Sequence, residues 1–323
     1  HRVDRRQRQM CIRDSMNIVV FGAGGVGGYF GGKLAQAGND VTFIARGKHL
    51  QAIKSNGLLI KSIHGDFKVH PKVTDDVTNI KNPDLVILGV KSWQVEDVAV
   101  QLKPIIREHT MVLPLQNGAD NADRLRVILP HKNVLAGLCK IVSRVESPGI
   151  IDHFAFDPEI VFGEYDNEKS KRVQNLSMLF DNAGIKNKVS EDIHLDIWKK
   201  FLFIATVSGI GALTRVEFGA MRDDEHIRQI MYQTANEIVA VANAKGIPLT
   251  DDDIEMILKI VDNLNAKTTA SMQRDIMDGR PSELDNFNGY IVRQGKELHI
   301  TTPANSFTYH CLWPQEKKAR GLS

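Results

Sequence analysis

Cysteine is scarce in this chain: Cys11, Cys139 and Cys311 are the three present in 323 residues, and none forms a CxxC pair. An odd and scattered set excludes a disulfide framework and offers no zinc site, so the expectation is a reducing cytoplasm and chemistry without a metal. No apolar run is long enough to span a bilayer; the longest, residues 201–213, is broken by Ser208, Gly209 and Gly211 and reads as a buried helix. An excess of one charge is missing too. The formal net charge is +2, and without residues 1–15, which hold five arginines and two aspartates, it becomes −1. That balance leaves no overall basic character, and nothing argues for binding to nucleic acid through its phosphates. Residues 1–15 lack the apolar stretch of a secretory signal and read as a non-native or disordered arm ahead of Met16. Repeats and low-complexity tracts are absent. With 42% hydrophobic and 25% charged residues, the composition excludes a disordered or fibrous chain.

What is present suits two domains, each large enough for its own core. Residues 17–21 are a continuous apolar run ending at Gly22, residues 26–37 follow with helical spacing closed by Gly38, and residues 41–45 form the next strand. Apolar runs at 85–90, 111–115 and 134–138 continue the alternation of strand and helix, which predicts a doubly wound parallel sheet. Segments around 57–69, 150–154 and 160–163, separated by Gly or Asp-Pro turns, look antiparallel and are expected to extend the sheet edge. Beyond residue 190 strand signals vanish. Ile227, Ile230, Met231, Ile238 and Val241 recur at helical spacing, and Thr250 with Asp253 has the form of a capping box. The fold class is therefore α/β: a Rossmann-like domain over 16–190 and an all-helical domain over 191–323.

Gly22-Ala23-Gly24-Gly25-Val26-Gly27 is G-x-G-x-x-G placed directly after a strand and at the start of a helix, the context that a dinucleotide pyrophosphate requires. Versions that prefer NAD place a carboxylate at the end of the second strand for the ribose 2′-hydroxyl. Here that strand ends Phe43-Ile44-Ala45-Arg46, and a guanidinium suits the 2′-phosphate of NADP. Lys91 and Asn117 follow two later strands, at the carboxyl edge where such sheets bind ligands.

Together these features resemble the ketopantoate reductase family across nearly all of residues 16–321. The resemblance rests on GAGGVGG, FIARG, GVKSWQV at residues 89–95, LQNG at 115–118, WKK at 198–200, SMQRD at 271–275 and SELDNFNGYIV at 282–292. It implies NADPH as cofactor and a small 2-keto acid as substrate, with 2-dehydropantoate reduced to (R)-pantoate in pantothenate biosynthesis. By the same resemblance Lys200 is the general acid and holds substrate, Lys91 and Asn117 contact NADPH, and Ser271 binds substrate. Glu283 helps fix both the cofactor and the acid lysine, and a homodimer is the candidate assembly. The residues support Lys200 independently, since the apolar run starting at Phe201 desolvates its ammonium and eases proton donation. Ser271 and Glu283 also read as helix N-terminal capping residues.

The sequence departs from the family where specificity is set. Three asparagines common in its members are replaced by Ile204, Ser208 and Phe218. Ser208 keeps a hydrogen-bonding group for substrate and the other two do not. Reduction of another 2-keto or 3-keto acid is thus the nearest alternative. A non-catalytic NADPH sensor is a more distant one, which the retention of Lys200 and Glu283 disfavours.

Overall fold

The computed structural model describes residues 16–322, so the expectation for residues 1–15 lies outside it. The chain forms two compact units. One comprises the residues up to Val90 with Gln94–Gln116 and Ala122–Glu191; the other comprises Lys91–Trp93, Asn117–Asn121 and the chain from Asp192 onward.

In the first unit, β1 (Asn17–Phe21) leads through the glycine turn into α1 (Gly25–Gln36), and β2 (Asp40–Ile44) precedes α2 (Gly47–Asn56). After β3 (Leu58–Ser62) and β4 (Phe67–Val69) come β5 (Lys72–Thr74), β6 (Leu85–Leu88), α3 (Val95–Leu102) and β7 (Met111–Pro114). Among the described residues, β5-β2-β1-β6-β7 is a parallel sheet in that order. Ile18, Val19, Val20 and Leu85 to Leu88 are buried on both faces, which is why these strands read as unbroken apolar runs rather than alternating ones. The chain runs from β1 to β2 on one side and later to β6 on the other. The switch in direction therefore falls at the carboxyl end of β1, where the glycine turn sits.

The expected extension of the sheet edge is not what forms. After α4 (Asn121–Ile128), β8 (Leu135–Ser147) and β9 (Ile150–Glu164) make a long antiparallel hairpin, and α5 (Lys171–Asn182) leads to β10 (Lys186–Val189). β10-β9-β3-β4, with β8 on β9, is a second sheet. The run at 134–138, expected to continue the parallel sheet, belongs to this second sheet, and its tie to the first is a single bridge between Val112 and Val134. Local apolar patterning marks a strand without naming the sheet that receives it. The Asp157-Pro158 break does not divide β9 either. It appears as a positive φ of 60° at Phe156 and a shifted pairing register, in the manner of a bulge. Phe30, Phe43, Phe162 and Phe180 fill the core, the last two edge to face with centroids 5.4 Å apart.

The second unit is helical, as expected: α6 (Ile193–Thr214), α7 (Phe218–Asp223), α8 (Glu225–Ala244), α9 (Asp251–Asn263), α10 (Ser271–Met277), α11 (Asn288–Glu297) and α12 (Pro303–Arg320). Asp192 caps α6 by accepting from Leu195 N at 3.1 Å, and Asp253 accepts from Thr250 N at 3.0 Å as the capping-box pattern predicts. α6 is apolar and long enough to cross a membrane by length and composition, but Trp198, Phe201, Leu202, Ala205 and Ile210 bury it among its neighbours. Phe201 stands edge to face with Trp198, Phe287 and Tyr290, and truncating it to alanine should cost about 3–5 kcal/mol. Gly211 lets α10 approach, since a Cβ there would lie 2.4 Å from Gln273 Oε1. Gln273 in turn ties the start of α10, donating to Val216 O at 2.8 Å and accepting from Ala270 N at 3.3 Å.

Candidate active site

The turn between β1 and α1 is shaped by what its glycines leave out. Gly22 has φ of +99°, and a Cβ on it would sit 2.9 Å from Val90 N. At Gly27 a Cβ would lie 2.0 Å from Gly22 O, so helix and strand can meet this closely only through a hydrogen. Helix α1 begins with Gly28 N donating to Gly24 O at 2.7 Å. Its N-cap Gly24 offers no side-chain cap and its first turn, which includes Gly25 and Val26, holds no acid, whereas its last turn carries Lys33. The macrodipole is thus left positive toward whatever anion reaches the N-terminus. Arg46 is the N-cap position of α2, two residues past β2, with an exposed guanidinium whose Nη2 lies 3.5 Å from Gln101 Oε1. Residues 44–48 contain no carboxylate, as the sequence predicts.

The second unit gathers the charged candidates. Lys91 donates to Asp275 Oδ2 at 2.6 Å and lies 3.5 Å from Glu283, and Arg280 reaches the other oxygen of Asp275 at 3.0 and 3.1 Å. Burial pushes the Glu283 carboxyl up; Lys91 opposes this and the charge of Asp275 adds to it, leaving the pKa above the ordinary carboxylate value. Burial pulls the Lys91 pKa down, but Glu283 and Asp275 outweigh it and hold its ammonium more firmly than usual. Ser92 donates to Asn117 O, and Asn121 Nδ2 donates to the same oxygen at 3.2 Å, so the segments after β6 and β7 are fastened together at Asn117. Glu283 is not the helix N-terminal residue expected. It lies in the turn that precedes α11, held there as Asn286 N and Phe287 N donate to its carbonyl at 3.0 and 2.9 Å.

Lys200 is half-buried on α6, and Ile204 and Ser208 follow it on the same face at intervals of one turn. Its neighbour Lys199 is engaged elsewhere, 2.9 Å from Asp253. Ser271 opens α10, exposed, with Asp275 one turn further along the same face. Phe218, at the start of α7, is buried in the apolar cluster. Sequence reasoning picked out Lys91 and Glu283 separately; it missed Asp275, the carboxylate that Lys91 contacts most closely. The available signal was the spacing of Asp275 four residues after Ser271 within SMQRD.

A glycine turn at the switch point of a parallel sheet, followed by a helical unit carrying lysines and buried carboxylates, defines a dinucleotide-dependent oxidoreductase. Comparison with known proteins agrees. The family profile for ketopantoate reductase PanE/ApbA matches residues 18–167, and that for its C-terminal region matches residues 192–316. The uncharacterized oxidoreductase YkpB of Bacillus subtilis (strain 168) is 32% identical over 294 residues, 91% of this chain and 97% of that protein. The 2-dehydropantoate 2-reductase of Pyrococcus horikoshii is 29% identical, covering 95% of this chain and 98% of its own. Among solved structures, a PanE/ApbA family ketopantoate reductase from Ralstonia eutropha JMP134 superposes with a TM-score of 0.88 at 32% identity, over 94% of this chain and 100% of that one. A D-mandelate dehydrogenase in ternary complex with NADH and anilino(oxo)acetate gives 0.87 at 25% identity, over 94% and 99%. The chain belongs to the ketopantoate reductase PanE/ApbA family.

Proposed function

We propose that the chain reduces a 2-keto acid with NADPH, with 2-dehydropantoate as first candidate substrate and (R)-pantoate as product, a step of pantothenate biosynthesis. The observation that carries the reading is the uncapped N-terminus of α1 behind a glycine-rich turn, with Arg46 rather than a carboxylate beyond β2. Residues 16–190 then act as the NADP-binding domain and residues 191–323 as the substrate and catalytic domain. Gly22 to Gly27 receive the pyrophosphate, and Arg46 takes the 2′-phosphate. When bound, the nicotinamide supplies a hydride to the keto carbon.

Lys200 donates the proton to the keto oxygen, and its ammonium stabilises charge on that oxygen beforehand. Ser208 and Ser271 hydrogen-bond the substrate. Lys91, Asn117 and Glu283 serve the cofactor side, with Glu283 also orienting the acid lysine. A second reading, reduction of a more apolar 2-keto acid, is favoured by Ile204 one turn beyond Lys200 and by Phe218 in the apolar cluster. A panel of 2-keto acids followed by NADPH oxidation, repeated with NADH, tests both. Turnover of none of them rejects the enzyme reading, and a clear preference for NADH rejects the assignment of Arg46.

A further inference from the structure

His49 stands in the first turn of α2, and both of its ring nitrogens are in use. Gly149 N donates to Nδ1 at 3.0 Å. The ring proton therefore sits on Nε2, which donates to Ala23 O at 2.7 Å. Burial lowers the pKa of the ring, with the Ala23 carbonyl pulling the other way, and so favours this neutral form. Gly149 is itself anchored: it turns β8 into β9 with φ of +83°, and its carbonyl accepts from Leu59 N at 2.9 Å in β3. His49 is thus a strut between the second sheet and the glycine turn.

The partner on the turn matters because Ala23 C=O and Gly24 N–H share one peptide unit. That unit is planar and trans, so the two groups point in opposite directions. Ala23 also precedes the helical ladder, which begins at Gly24 O, so the ladder does not orient its carbonyl. Fixing Ala23 O toward the imidazole therefore turns the N–H of Gly24, the N-cap residue of α1, the opposite way.

We propose that His49 is a positioning residue for the dinucleotide, holding the Ala23–Gly24 peptide so that Gly24 N–H is presented to the pyrophosphate before the cofactor arrives. The inference rests on the reading of the glycine turn as the NADPH site. A hydrogen bond that preorganises a binding group removes a cost of binding rather than adding a contact.

The test is direct titration of NADPH and NADH, without keto acid, into the wild type, His49→Leu and His49→Gln, followed by nicotinamide fluorescence and by steady-state kinetics. His49→Leu should raise the Kd of both cofactors by the same factor, about tenfold, the worth of one buried hydrogen bond. The increase should also appear in the KM for NADPH, while kcat at saturating NADPH and the KM for keto acid stay within about twofold. Glutamine carries one donor and one acceptor and should recover most of the affinity. Equal Kd values for wild type and His49→Leu overturn the proposal. So does a common loss of kcat and thermal stability that glutamine does not repair, which would mark the ring as a structural tie alone. Failure of the wild type to bind either cofactor overturns the underlying site reading as well.

Discussion

Ile204→Asn should exchange one substrate preference for another. Ile204 lies about one helical turn, roughly 6 Å along the axis, from Lys200, half-buried on the face that continues to Ser208. An asparagine there offers a donor and an acceptor to a hydroxylated substrate, and one such hydrogen bond is worth about 0.5–1.5 kcal/mol net. The same change removes apolar contact equivalent to roughly two methylene groups, at about 0.8 kcal/mol each, from a substrate with a hydrocarbon side chain. Added, the two effects amount to roughly 2–3 kcal/mol, so the ratio of kcat/KM for ketopantoate to that for an apolar 2-keto acid should rise by about 30- to 150-fold. The assay is kcat/KM for ketopantoate beside keto acids of similar size without the hydroxyl, in wild type and variant. A ratio that moves less than about threefold refutes the placement of Ile204 against the substrate. A wild type that already prefers ketopantoate with kcat/KM above roughly 10⁵ M⁻¹s⁻¹, well inside the ordinary enzyme range, refutes the idea that Ile204 and Phe218 set specificity.

Arg46→Ala should weaken NADPH far more than NADH; an unchanged ratio of the two affinities removes Arg46 from the 2′-phosphate. Lys200→Ala should lower kcat by roughly 10²–10⁴ with little change in NADPH affinity, and near-normal turnover defeats its role as the acid. Glu283→Gln should stabilise the fold in a pH-dependent way. A carboxyl whose folded pKa is raised contributes stability below its unfolded pKa, near 4.3, and loses it as pH rises through the folded value. The advantage of glutamine, read from urea midpoints, should accordingly grow from acid toward neutral pH while activity falls; parallel pH profiles would contradict the burial of a charge at Glu283.

The β1–turn–α1–β2 unit was legible because each signal in it is local: an apolar run, glycines at fixed spacing and a helix of ordinary length. The helical character of the second unit was equally plain from spacing and caps. The allotment of strands to sheets was not, since the choice made by residues 134–138 and 150–163 depends on long-range pairing that no short window contains. Among site residues, Lys91 and Asn117 stand at strand ends as expected, but the ion cluster joins Lys91 to a carboxylate 184 positions away. No local pattern in the sequence signals such a pair. His49 carries no signal in the sequence, because both of its partners are backbone atoms, which have no side-chain signature.

The apolar helix α6 has a consequence for how the chain is made. Its buried side chains rest against α8, α9, α10 and α12, all of which are encoded after it. Between Thr214 and Arg320 the ribosome must add about a hundred residues, which at roughly 5–20 residues per second leaves the helix without its full cover for about 5–20 s. During that interval a 22-residue apolar segment is exposed to other nascent chains and to membranes. Holding factors that recognise apolar helices should engage the chain at this stage of synthesis, and truncation before α12 should trap it there.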